Sequence, residues 1–255
     1  MNKGSFVTDA INLRSYSLSE SDKIVVLYSR DRGLIRCVAK GVKKPKSKLG
    51  ARMDLFVANK LMLREGKNMS TISQAEALNT FYKTRSDMDK IFYSMYISEI
   101  VSNFGVEDDP CSASIYDILY EALDTISKAS SKIQILNAVI KFQLKIMRIS
   151  GFSLELDRCL SCGKRIEEEK MFFSAKLGGV VCADCNEKLG LSASMHYKLR
   201  NYLSVLANTE FDEISEYESL ATEKLCNVCF DILKSYIDGH SAKNFKSTEI
   251  LQEVS

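Results

Sequence analysis

The sequence has little of what enzymes of phosphate or metal-assisted hydrolysis need. It holds two histidines, His196 and His240, and neither belongs to an H-x-E or H-E-x-x-H pattern, so metallohydrolase and deaminase chemistry have no motif. No G-x-x-x-x-G-K-[ST] and no G-x-G-x-x-G occurs, which disfavours a nucleotidase, helicase or recombinase. No uninterrupted apolar run reaches the roughly 18 residues that cross a bilayer. The opening MNKGSFVTDAINLRSYS lacks an apolar core and a small-residue cleavage pattern, so no secretory signal is expected. A chain of this kind belongs in a reducing cytosol, where its 8 cysteines serve metal binding or packing, not disulfides.

Net charge is also small, at +2, but its distribution is uneven. Residues 1–80 hold 15 Lys/Arg against 7 Asp/Glu, leaving 20 against 26 for residues 81–255. The most one-sided stretch is KGVKKPKSKLGAR, which places Lys40, Lys43, Lys44, Lys46, Lys48 and Arg52 together without an acidic residue. Gly41, Pro45, Ser47 and Gly50 break helical and strand periodicity there, so these cations are expected on an exposed turn. Such a cluster suits a polyanion whose phosphates release counterions on binding. A solvated loop that only keeps the protein soluble gives the same pattern.

Residues 1–80 read as short apolar runs, Phe6–Leu13, Ile24–Tyr28, Leu34–Ala39, Leu55–Leu63 and a weaker one at Met69–Ala77, separated by turn-rich pieces. Five strands in that length suit an OB-type barrel, and an SH3-like barrel would read the same way. The aromatics available for base stacking are Phe6, Tyr16, Tyr28 and Phe56, of which Tyr28 and Phe56 lie inside apolar runs and are assigned to the core. Binding should therefore rest on Arg14, Lys23, Arg30, Arg32, Arg36 and the basic loop, and be salt-sensitive and poor in sequence preference.

From about Asp87 the apolar period lengthens. Ile91 to Phe104, Ile115 to Ile126 and Ile135 to Met147 form three amphipathic helices expected to share one core. Their aromatic and Met stripes read as packing. The acidic run Glu210–Glu218 reads as a solvated loop.

The strongest chemical signal is Cys159-Leu-Ser-Cys162 and Cys182-Ala-Asp-Cys185, with 19 residues between the pairs. That spacing predicts one tetrahedral structural zinc, because four thiolates leave no open position for a reacting water. Gly163 allows the tight knuckle after the first pair, and Met171–Phe173 with Gly178–Val181 supply a short ribbon. Cys226 and Cys229 fall inside a helical pattern running from Leu220 to Ile237 and read as core, as do Cys37 and Cys111.

The combination of LSESDKIVVLYSRDRGLIRCVAKGVKKPKSKLG in a basic β-module with helices and the cysteine quartet resembles the bacterial recombination-mediator family RecO. The resemblance covers essentially the whole chain. It implies an α+β protein: an OB-fold barrel over residues 1–80, then a helical domain over 81–255 carrying the zinc ribbon at about 155–190. It further implies a non-enzymatic, cytoplasmic, nucleoid-associated protein that binds single- and double-stranded DNA and anneals complementary strands. The implied partners are RecR, single-strand-binding protein and, indirectly, RecA. Two other readings stay open: a zinc-ribbon module of an RNA or transcription complex, and a thiol oxidoreductase using one Cys-x-x-Cys pair.

Overall fold

The structure is a computed structural model that describes residues 4–167, 169–190, 194–213, 221–241, 245 and 247. It divides into two compact units, Met1–Lys128 with Phe245–Ser255, and Ala129–Asn244. The first contains β1 (Ser5–Ser17), β2 (Lys23–Ser29), β3 (Gly33–Ala39), β4 (Ala58–Arg64), β5 (Ser70–Asn79), α1 (Met88–Phe104) and α2 (Ser112–Lys128). The second contains α3 (Lys132–Ile149), β6 (Lys170–Ser174), β7 (Gly179–Val181), α4 (Ala183–Leu189), β8 (Ser194–His196), α5 (Tyr197–Asn208) and α6 (Glu223–His240).

The five strands of the first unit form a closed barrel in the order β1-β2-β3-β5-β4. Every neighbouring pair is antiparallel except β3 and β5, which meet in parallel at Cys37↔Ser70 and Val38↔Thr71. This is the OB fold and not the SH3-like alternative. β1 serves two partners: Ser5–Ile11 pairs with β4, and Ala10–Ser17 with β2, with a bulge between Asn12 and Arg14 where it bends from one to the other. Alternation then sorts the residues. Val25, Leu27, Ile35, Cys37, Leu61, Leu63 and Ile72 fill the interior.

β2 breaks the simple alternation, because Val25, Val26, Leu27 and Tyr28 are all buried. A strand apolar on both faces needs cover outside the barrel. Around Tyr28 the cover is the α1–α2 region, where the Tyr28 hydroxyl donates to Asp109 Oδ2 at 3.3 Å and Ser112 Oγ donates to the Arg30 carbonyl at 2.9 Å. The expectation that three helices share one core is corrected accordingly: α1 and α2 belong with the barrel, while α3 packs on α5 and α6 in the second unit. There Lys141, fully buried, donates to the carbonyl and the hydroxyl of Thr209.

The connection between β3 and β4 is more than an exposed turn. Val42 and Met53 sit in the barrel core with Leu49 packed beside them, so the segment plugs the barrel while its lysines point outward. Its far end is clamped by two buried amides: Asn12 Nδ2 donates to the carbonyls of Arg52 and Asp54 at 2.7 and 2.8 Å, and Asn59 Nδ2 to that of Arg52 at 2.9 Å. Leu55–Val57, expected as strand, is part of this turn, with Phe56 at φ 67° and its N–H given to the Asn12 carbonyl. Asn12→Ala would take the side-chain donor from the Asp54 carbonyl and leave that of Arg52 to Asn59 alone, and should lower unfolding free energy by about 1–2 kcal/mol in a denaturant titration.

Candidate nucleic-acid interface and metal centre

Because Val25, Leu27, Ile35 and Cys37 face inward, Arg14, Val26 and Arg36, which the register places opposite one another, form a row on the outer face of β1-β2-β3. Successive paired Cα atoms lie about 5 Å apart, so Arg14 and Arg36 stand roughly 10 Å apart across Val26. The next row is Tyr16, Ile24 and Val38. Tyr16 is exposed, and the Arg14 guanidinium lies 5.6 Å from its ring centroid. Val26 at the centre of the first row is buried, as is the lower part of the same face at Ile11 and Tyr28.

The basic loop adjoins the open end of this face, since β2 begins opposite the end of β3, with Lys23 paired to Ala39. Lys40, Lys43, Lys44, Lys46, Lys48 and Arg52 are exposed, and Lys23 is half-buried at the rim. The start of the loop is latched to the β1–β2 turn. The Asp22 carboxylate accepts from the Gly41 N–H at 2.7 Å, and the Lys43 N–H donates to the Ser21 carbonyl at 3.0 Å. The Gly41 N–H, with the Ser21 and Ser19 hydroxyls and the Lys40 charge, holds the Asp22 carboxyl below its ordinary range. Lys43 Nζ reaches Ser17 Oγ and the Ser19 carbonyl.

Arg30 and Arg32 lie apart from this cluster, at the β2–β3 turn. The 6 residue steps from Lys23 to Ser29 correspond to about 20 Å of strand. Arg30 is engaged in a two-pronged pair with Asp117, at 3.1 and 2.9 Å, which also raises its pKa. Arg32 rests 4.7 Å from the Phe6 ring centroid and has only long contacts to carboxylates, 3.8 Å to Glu65 and 3.9 Å to Asp108. Sequence reasoning omitted Lys67 on the β4–β5 loop, which with Phe6, Arg32 and Arg36 lines a cleft of about 680 Å³. An isolated Lys between two short strands carries no signal until the barrel closes.

In the second unit the four cysteines converge. Their Sγ atoms all lie within 4.8 Å of one another, and Cys162 Sγ is 3.9 Å from Cys182 Sγ. Tetrahedral thiolates about 2.3 Å from an ion stand roughly 3.8 Å apart, so the spacing fits a metal ion. The first knuckle turns at Gly163, φ 73°, whose N–H donates to the Cys159 carbonyl at 2.8 Å. Cys182 immediately precedes α4, Cys185 lies in its first turn, and the Cys182 N–H points at Cys159 Sγ at 3.4 Å. Burial pushes the Cys159 thiol up, but the backbone N–H groups of Cys182, Cys162 and Ser161 outweigh it and bring it down to about 6.

β6 and β7 form the expected ribbon, and β8 adds a third strand to it. Cys226 and Cys229 lie fully buried on α6, and burial raises both thiols, which suits packing and not exchange. Leu220 and residues 214–218 of the acidic run fall outside the described residues.

A closed OB barrel with a cationic loop, on one chain with a four-cysteine metal-ligand cluster, defines a class of OB-fold proteins that carry a metal-ligand ribbon. Family models narrow this: recombination protein O N terminal matches residues 1–81, and recombination protein O C terminal matches residues 85–249. The chain belongs to the RecO family, whose members are recombination mediators and not catalysts. It is 33% identical over 249 residues to a DNA repair protein RecO of Desulforamulus reducens, covering 96% of this chain and 93% of the relative. A DNA repair protein RecO of Clostridium acetobutylicum is 29% identical over 251 residues, covering 98% of each chain. That of Caldanaerobacter subterraneus subsp. tengcongensis is 28% identical over 248 residues, covering 97% and 98%. No helix among the described residues is long and apolar enough to cross a membrane.

The latch at Asp22 is testable apart from any ligand. Asp22→Ala should speed hydrogen exchange of the Gly41 and Lys43 amides while leaving β2 and β3 protected, as read by peptide-resolved mass spectrometry.

Proposed function

We propose that the protein is a DNA-repair and recombination mediator that binds single- and double-stranded DNA without sequence preference and anneals complementary strands. The observation that supports this reading is the meeting of the Arg14–Arg36 row with the six cations of the barrel-capping loop. Arg14, Lys23, Arg36, Lys40, Lys43, Lys44, Lys46, Lys48 and Arg52 make up the cationic track, and Arg30 and Arg32 are assigned to an outlying part of the same DNA-binding surface. We assign DNA binding to the barrel at residues 1–80 and a scaffold role to residues 81–255. The partners are RecR, single-strand-binding protein and, indirectly, RecA, in the cytoplasm and at the nucleoid of a bacterium.

Annealing on such a surface is passive. Two strands repel across the screening distance, and cations that neutralise phosphates on both lower the barrier to their encounter. Nothing in the scheme consumes a nucleotide. Replacing Lys43, Lys44, Lys46 and Lys48 with Ala removes about four phosphate contacts, so the salt slope of single-strand binding should become shallower by roughly 3, at about 0.7 per contact. The fold should survive, because buried Val42 and Met53 seat the loop and the Lys43 Nζ bonds that are lost are exposed ones. Annealing of bare complementary strands should proceed without ATP and fail in this variant. If the protein speeds no annealing at low salt while structured RNA binds more tightly than single-stranded DNA, the mediator reading gives way to an RNA-binding one.

The cysteine quartet is assigned one structural Zn²⁺ per chain. Thiolate ligands select soft or borderline ions, and a closed set of four leaves the ion no place for substrate. Loading the site is part of folding the ribbon, because four close thiols must deprotonate together to take the ion. Elemental analysis should find one zinc per chain in the wild type and in Cys226→Ala, and none in Cys182→Ser, whose residues 152–190 should also become protease-sensitive. Full zinc occupancy in Cys182→Ser would refute the assignment.

A further inference from the structure

We infer that Arg32 is a stacking platform for one base of the bound strand, not a contact to its phosphates. The inference rests on the DNA-binding reading above and assigns one subsite within it. It starts from how Arg32 is held. One side of its guanidinium is backed by the Phe6 ring at 4.7 Å, and Phe6 itself packs on the barrel core. Its nitrogens lie 3.8 Å from Glu65 and 3.9 Å from Asp108, long pairs between exposed groups that offset its charge only in part. With one side held on the Phe6 ring and its charge partly offset, the guanidinium is better placed to present its plane than to neutralise a phosphate.

The backbone under Arg32 is fixed. Its carbonyl accepts from the Asp108 N–H at 2.8 Å, and the Leu34 N–H donates to the Val106 carbonyl at 2.9 Å. Gly33 between them has φ +65°, and a Cβ there would stand 2.3 Å from the Val106 carbonyl oxygen, so the close approach needs glycine. The side chain is still 44% exposed, and it lines the cleft of about 680 Å³ with Phe6, Arg36, Asn68, Ser70 and the carboxylates Glu65 and Glu107. That volume is in the range of small-ligand sites. Asn68 and Ser70 offer donors and acceptors suited to a base edge.

The cleft also continues the proposed track. Arg36 lines it and belongs to the outer-face row, so a strand crossing Arg14 and Arg36 arrives at the Arg32 plane. Guanidinium planes stack with bases, and a lysine, which has the charge without the plane, cannot replace arginine in that role. Charge and stacking can therefore be separated by one substitution.

The test compares Arg32→Lys with the wild type on two oligonucleotides of equal length, an oligo-dT and its fully abasic counterpart, across a salt series. The wild type should prefer oligo-dT, and Arg32→Lys should lower that preference by about tenfold while the salt slope stays unchanged. Phe6→Leu, which removes the backing ring, should shift the preference in the same direction. Thermal melts of both variants establish that the fold is kept. An unchanged preference in Arg32→Lys, or an equal loss on both oligonucleotides in Arg32→Ala with a shallower slope, overturns the stacking role and makes Arg32 a phosphate contact. Absence of wild-type binding to either oligonucleotide instead overturns the DNA-binding reading on which the subsite stands.

Discussion

The barrel closes on two residue pairs, Cys37↔Ser70 and Val38↔Thr71, where β3 and β5 meet in parallel. Without that seam the first five strands would be an open sheet with no inside, and the alternation that buries Val25, Leu27 and Cys37 would have nothing to bury them in. Closure decides which residues face out, and hence that Arg14 and Arg36 share a surface. Because the seam is so short, the first half of β3 is left beside the β4–β5 loop, and the cleft that holds Arg32 is the space this leaves.

A second constraint is the way the β3–β4 connection serves two purposes. Its apolar residues, Val42 and Met53, stop the barrel, while its lysines remain in water. The Asp22 latch at one end and the Asn12 and Asn59 amides at the other hold it in place. A cationic loop held this way has little conformational entropy left to lose when a polyanion arrives. The apolar anchors are buried, whereas the cations are exposed and the bonds that Lys43 Nζ makes to Ser17 and Ser19 lie at the surface, so charge can be removed from the loop at little cost to the fold.

The metal-ligand cluster follows a different logic, local in sequence and dependent on few tertiary contacts. Two knuckles and a three-stranded ribbon bring four sulfurs together, with the Cys182 N–H directed at Cys159 Sγ. The ribbon is tied to the helices of its unit through α5, where Arg200 Nη1 donates to the Ile166 carbonyl at 2.8 Å, and through α6. Gly178 lies against the Tyr236 hydroxyl of α6, which donates to the Phe152 carbonyl at 3.2 Å. A metal-dependent change in the ribbon would therefore be felt on α6.

What the sequence alone determined about this protein is whatever depends on neighbours along the chain. The five strands, the α1, α2 and α3 stripes, the Gly163 knuckle and the C-x2-C pairs were all legible, since periodicity and spacing are local properties. The basic loop was legible as charge. Its role as a plug was not, because Val42 and Met53 look like isolated apolar residues until the barrel surrounds them. Tertiary structure alone decided that Arg14 and Arg36 share a row, through a bulge that shifts register by one residue. It paired Arg30 with Asp117, 87 residues away, and it set Arg32 against Phe6. It also split α3 from α1 and α2, because the apolar outer face of β2 at Tyr28 required cover that only a packed neighbour supplies. Contacts between residues far apart in the chain carry no periodic signature, so they become visible only when the strands have closed.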